Sequence, residues 1–127
     1  MIVHLLRFRF RTDATHGRRN AALAALHTMA ATDGVVFSVI GRDLADAVYT
    51  HSYLVALDGR EAFQEYLHAP HHLAVIGEFA TPLAALTAVD LSDDPDPGLA
   101  DWLQRTHGDW LARHPATAEL LAAIPGT

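Results

Sequence analysis

The segment 2–11 alternates between inward apolar positions and mixed outward positions, as expected for a strand with one buried face. Its inward face carries His4, Leu6, Phe8 and Phe10, and its other face carries Val3, Leu5 and three arginines. The segment 48–57 alternates in the same way, and its inward face carries Tyr49, His51, Tyr53, Val55 and Leu57. Shorter apolar segments at 35–41 and 85–91 predict two more strands.

Apolar residues at helical spacing predict the elements between these strands. The first helix covers residues 13–31, with Thr12 or Asp13 as its N-cap. A second helix is predicted to begin at Asp58, because Glu61 follows at the spacing of a capping box.

Pro70 suits the first turn of a third helix, where its missing N–H and fixed φ are tolerated. One stripe at helical spacing then carries His72, Val75, Ile76 and Phe79. His72 is therefore predicted to point inward among apolar neighbours. His68 and His71 fall on other faces and are most simply solvent-facing.

The predicted order is strand, helix, strand, given twice, which is typical of a ferredoxin-like fold. The fold class is therefore α+β, with a four-stranded antiparallel sheet and helices on one face. The other face would carry apolar residues, namely Val3, Leu5, Leu54 and Ala56. We expect a second copy to cover that face, giving a symmetric homodimer with the architecture of a dimeric α/β barrel.

An acidic, proline-marked segment, Ser92 to Pro97, predicts a boundary between a domain at 1–92 and a C-terminal helical extension at 93–127. Two helical stripes follow it, Leu99, Trp102, Leu103, Thr106 and Trp110, and then Ala118, Leu120, Leu121 and Ile124. We expect this extension to pack on the protomer or its partner, or to close over a pocket mouth. Its two tryptophans are interpreted as docking anchors.

Composition narrows the function classes. The 127 residues suit one domain, and the net charge of −6 argues against a nucleic-acid surface. The chain has no cysteine, which excludes disulfides and thiolate chemistry. No apolar run is long enough for a membrane span, and no signal peptide is recognisable, so a cytoplasmic location is expected.

The inward positions bring several titratable groups towards one predicted cavity. The candidate catalytic residues are His4, His51, Tyr66 and His72. The candidate substrate-binding residues are Leu6, Phe8, Tyr49, Tyr53, Phe63, Ile76 and Phe79. Buried imidazoles without partners would cost about 1–3 kcal/mol each, so they require one another, water or a ligand. A small-molecule site is the functional interpretation. Structural histidines and core tyrosines are the alternative.

A neutral imidazole can remove a proton from a carbon acid, and a phenol can donate a hydrogen bond to the enolate that forms. This pairing suits enolisation and aldol chemistry. No phosphate loop or nucleotide-binding fingerprint competes with it. Proton transfer by these groups needs no cofactor, and none is predicted. The imidazoles would suit zinc or iron, so a metal site stays an alternative, but no inward carboxylate is expected as a further ligand.

Three segments resemble the stress-responsive dimeric α/β-barrel (Dabb) family: residues 2–10, the strand start Tyr49-Thr50-His51, and Tyr66-Leu67 followed by Pro70 and His72. Within that family the chain is similar to plant polyketide cyclases of the olivetolic acid cyclase type. The resemblance implies that His72 is the base, that Tyr66 holds the substrate oxygen, and that His4 and His51 orient substrate or relay protons. It also implies a polyketide-like substrate and a polyketide synthase as a further partner.

The chain departs from the family pattern at two places. Ala69 stands where the family has a histidine before the proline, and His68 lies one position earlier. The connector 43–47 is also short. Two other functions stay open, a non-catalytic stress-responsive protein that binds a small molecule, and a haem- or oxygen-handling monooxygenase of similar fold.

Overall fold

The computed structural model describes residues 1–126. Its elements are β1 (Ile2–Phe10), α1 (His16–Ala30), β2 (Val35–Arg42), β3 (His51–Leu57), α2 (Arg60–Leu67), α3 (His72–Ala80), β4 (Leu83–Ser92), α4 (Leu99–Arg113) and α5 (Pro115–Ala122). The four strands form one antiparallel sheet in the order β2-β3-β1-β4. The predicted ferredoxin-like α+β fold is confirmed.

One face of the sheet carries the core. The side chains of Phe8, Val55, Phe63 and Phe79 are fully or almost fully buried there, together with Leu26 of α1. Phe8 and Phe79 meet edge to face with ring centres 5.0 Å apart, a geometry that adds to the gain from burial.

The opposite face of the sheet carries two apolar rows that run across all four strands. The strand register aligns Phe37, Ala56, Val3 and Leu91 in one row, and Val39, Leu54, Leu5 and Val89 in the other. Val39 and Leu91 are 59% and 53% exposed. This is the face that the sequence predicted to be apolar.

Local hydrogen bonds move two predicted boundaries. Helix α1 begins at His16, because the Thr15 hydroxyl accepts the Arg18 backbone N–H at 3.1 Å. The predicted cap at Thr12 or Asp13 is therefore wrong, and Asp13 pairs with Arg11 instead. Helix α2 has no side-chain cap, so the predicted Asp58 cap is also wrong.

Strand β3 begins at His51, three residues later than predicted. The Asp46 carboxylate accepts the backbone N–H groups of Val48 and Tyr49, at 2.8 and 3.4 Å. Such bonds fold the chain into a turn and compete with strand pairing. Residues 48 and 49 therefore belong to the connector.

The C-terminal helices pack on the same protomer. Leu99, Leu103 and Trp110 of α4 are buried in the core cluster. The backbone N–H of Leu86 on β4 donates to the carbonyl of Pro125 at 2.9 Å. Among residues 1–126, no helix has both the length and the apolar character that crossing a membrane requires.

Candidate active site

A cavity of about 350 Å³ lies between the sheet, the helices α2 and α3, and the C-terminal helices. Most of its lining is apolar, including Leu6, Phe63, Ile76, Phe79 and Trp110. Four titratable side chains also line it, namely His4, Tyr66, His72 and His107. An apolar cavity of this size with a few convergent polar groups is the usual form of a small-molecule site.

His72 begins helix α3 and is only 7% exposed. Its ring lies 4.9 Å from Trp110 and 5.7 Å from Tyr66, measured between ring centres. Burial lowers the pKa of His72 to about 4, although the backbone carbonyl of Leu67 acts in the opposite direction. The imidazole is therefore neutral at pH 7.

The Nδ1 atom of His72 is buried and has no hydrogen-bond partner. A buried polar atom left without a partner costs about 1–3 kcal/mol. Such atoms are rare in native proteins, and a ligand or a bound water commonly supplies the missing partner. His72 therefore lines the cavity and has one buried ring nitrogen without a hydrogen-bond partner.

Tyr66 and Tyr53 share a hydrogen bond of 2.6 Å between their hydroxyl oxygens. Burial raises the pKa of Tyr66 to about 12, even though the bond from Tyr53 lowers it. Burial raises the pKa of Tyr53 as well. Both phenols are therefore neutral at pH 7. When Tyr53 is the donor of the shared bond, the Tyr66 hydroxyl can donate into the cavity.

His4 forms a charge-assisted pair with Asp90, with 2.7 Å between Nδ1 and the carboxylate oxygen. The strand register places these residues opposite each other on β1 and β4. Burial raises the pKa of Asp90, but the hydrogen bond and charge of His4 outweigh it, so the pKa lies below its usual range. The prediction that no carboxylate faces inward is therefore wrong.

The ionised Asp90 carboxylate can only accept a hydrogen bond, so it fixes the proton of a neutral His4 on Nδ1. The other ring nitrogen of His4 is then a base or, once protonated, an acid. A carboxylate in this position also compensates the positive charge of the protonated ring.

His107 belongs to α4 and is not among the residues predicted from the sequence. Its ring centre lies 5.9 Å from that of His4 and 5.8 Å from that of Phe63. Burial lowers the pKa of His107, as does the charge of His4, while Asp90 raises it. Trp110, interpreted from sequence as an anchor, is both an anchor and a wall of the cavity.

Four of the predicted residues do not line the cavity, namely Phe8, Tyr49, His51 and Tyr53. Phe8 is fully buried in the core, and Tyr53 lies behind Tyr66. His51 stacks on Phe8 with ring centres 5.5 Å apart and bonds the Thr50 hydroxyl. Burial lowers the pKa of His51, helped by the charge of Arg19.

Tyr49 lies in the connector, with the Arg7 guanidinium 4.7 Å from its ring centre. Arg7 is on the outer face of β1, so Tyr49 belongs to that side of the sheet.

The two histidines expected in solvent differ from each other, because His68 is exposed whereas His71 bonds the Thr32 hydroxyl at 3.0 Å. Within residues 1–126, no group of three or more His, Asp or Glu side chains is placed to hold a metal ion.

A family model described as the stress responsive A/B barrel domain, Dabb, matches residues 2–93. The chain belongs to the Dabb family. The matched region includes His4, Tyr66, His72 and Asp90 but ends before α4. No curated protein matches the chain.

Solved structures share the fold of this Dabb protein. A dimeric ferredoxin-like protein of unknown function from Thermobifida fusca is 29% identical, with a TM-score of 0.61, over 72% of this chain and 89% of that one. A Dabb family protein from Mesorhizobium loti is 18% identical, with a TM-score of 0.63, over 73% and 96%. A hydroxynitrile lyase from Passiflora edulis is 16% identical, with a TM-score of 0.63, over 74% and 94%.

Proposed function

We propose that this Dabb protein is a cofactor-independent polyketide cyclase. Its reaction would be the intramolecular aldol condensation of a linear poly-β-keto chain. The observation that carries the proposal is that His72, whose buried Nδ1 atom has no hydrogen-bond partner, lines one apolar cavity with Tyr66, their ring centres 5.7 Å apart. A neutral imidazole and a phenol in the lining of one cavity are the pair of groups that general-base removal of a carbon-bound proton requires.

His72 is the base of the proposed reaction. It is neutral at pH 7, since burial lowers its pKa to about 4. Its lone pair takes a proton from the carbon between two carbonyls, which breaks a C–H bond and forms an N–H bond. The electron pair moves to the carbonyl oxygen as an enolate. Tyr66 donates a hydrogen bond to that oxygen, and one such donor contributes about 3–4 kcal/mol to transition-state stabilisation.

The His4–Asp90 pair completes the proposed cycle. The enolate carbon attacks a ketone carbon further along the same chain, which forms the ring bond and leaves an alkoxide. Protonated His4 donates its proton to that alkoxide, while Asp90 keeps the ring oriented. His72 then releases the proton that it took from carbon to water, and His4 regains one, so that no net proton is consumed. His51 has no part in this proposal, because it lies outside the cavity.

The proposed enzyme is a homodimer. Its two apolar rows across the outer sheet face include side chains that are up to 59% exposed, and a contiguous apolar face of this kind favours contact with another surface. The relatives from Thermobifida fusca and Jannaschia are described as dimeric ferredoxin-like proteins. If a second protomer packs its own outer sheet face against this one, the apolar rows of both protomers become buried.

A coupled assay tests the function. The protein is added to a polyketide synthase that releases linear tri- to hexaketide thioesters, and the products are followed by mass spectrometry. Wild type should shift the products from spontaneous pyrones to an aromatic aldol product, and His72→Ala should not. His68→Ala is the matched control, because His68 is exposed at the end of α2. Identical profiles for wild type and His72→Ala would contradict the assignment of the base.

A second candidate is a non-catalytic protein that binds an apolar, hydroxylated ligand. The low pKa of His72 favours it, because a weak base gives a small driving force for removing a proton from carbon. This candidate predicts saturable quenching of tryptophan fluorescence by polyketide products without turnover. Cyanohydrin cleavage can be assayed in the same samples, since the Passiflora edulis relative is a hydroxynitrile lyase.

A further inference from the structure

The C-terminal helices contribute a titratable side chain to the site although they lie outside the matched Dabb region. His107 lines the inner cavity and also an outer groove of about 370 Å³. Other residues of that groove include Asp90, Leu103 and Gln104. His107 therefore lies between the cavity and the outer groove.

Three titratable groups on other elements face or act on His107. They are His4 on β1, Asp90 on β4 and His72 on α3. The distance of 5.9 Å between the ring centres of His107 and His4 allows direct contact or one bridging water. Asp90 bonds His4 and also lines the outer groove. Asp90 and His107 therefore both connect His4 to that groove.

We propose that His107 is a further acid–base residue of the site, which passes a proton from water in the outer groove to His4. The proposal rests on the proposed function, because it supplies the proton that His4 gives to the alkoxide. An N–H bond of protonated His107 breaks and an N–H bond on His4 forms. His107 then regains its proton from water in the groove. No electron transfer is involved.

A fluorogenic β-hydroxy ketone tests this role separately from polyketide cyclisation. Its retro-aldol cleavage releases a fluorescent naphthaldehyde and uses the same proton transfers in reverse. His107→Gln keeps a polar side chain of similar size but cannot carry a proton. We expect its kcat to fall by about tenfold or more, with KM changed by less than about threefold. In the plot of kcat against pH, the limb that reports titration of His107 in wild type should be absent from this variant.

Imidazole added to the buffer gives a readout that a structural role would not move. His107→Ala leaves space that opens on the outer groove, so imidazole should restore most of its kcat. The control is His68→Gln, which should behave as wild type at every imidazole concentration. Unchanged kcat in His107→Gln would overturn the proposal. A loss that imidazole does not restore, accompanied by a lower Tm, would overturn it too.

The two proposals fail in different ways. If wild type cleaves the ketone with dependence on His107 but does not cyclise polyketides, the relay stands and the substrate class is wrong. If polyketides are cyclised equally well by wild type and His107→Gln, the relay is wrong and the cyclase stands. If wild type does neither reaction, both are wrong.

Discussion

Acidification should destabilise the protein through His72. Burial lowers the pKa of this imidazole to about 4 in the folded chain, whereas the unfolded chain titrates it near about 6.5. Between these values the unfolded state binds more protons, so stability is full above the unfolded pKa and is lost as the pH falls. The linkage relation gives a loss of about 2 kcal/mol between about pH 7.5 and about pH 5.

Urea unfolding at those two pH values measures the loss, at one protomer concentration. Burial also lowers the pKa of His51 and His107, so the wild-type loss includes their contributions. The difference between wild type and His72→Gln isolates the share of His72. The exposed control His68→Gln should keep the wild-type pH dependence. Equal pH dependence in wild type and His72→Gln would refute the reasoning.

Three further substitutions test other parts of the structure. Asp90→Asn keeps a hydrogen bond to His4 but removes the charge, so cyclisation kcat should fall by about 10²-fold with little change in Tm; an unchanged rate would contradict the paired role. Leu54→Arg should give monomers in sedimentation experiments, and persisting dimers would argue against the outer-face interface. Trp110→Ala should cost about 3–5 kcal/mol in urea unfolding, and a loss below about 1 kcal/mol would mean that the extension packs loosely.

Periodicity predicted which face a side chain occupies. Strand alternation assigned His4 inward, helical spacing assigned His72 inward, and both line the cavity. Periodicity does not give the position along an element. His51 shares the inward face, but it pairs with Phe8, whereas His4 pairs with Val55. Four strand residues, about 13 Å, separate the two positions, so His51 lies beyond the cavity.

Asp90 could have been found from the sequence. Leu86, Ala88 and Asp90 alternate on one strand face, and two of them line the cavity. The alternation that places His4 inward on β1 places the Asp90 carboxylate inward on β4. Helical spacing puts His107 on the same face as Leu103 and Trp110, but it does not say which part of the domain that face covers. Its position depends on the path of the chain after Asp93, which no periodic pattern sets.

The order of the strands has a consequence for synthesis of the protein in the cell. β1 leaves the ribosome before both of its neighbours in the sheet, β3 and β4. His4 and its partner Asp90 are 86 positions apart, and contacts so distant in sequence slow folding. Both edges of β1 therefore stay unpaired while translation continues. We expect the nascent chain to complete its sheet only after β4 has emerged and to need protection from aggregation until then.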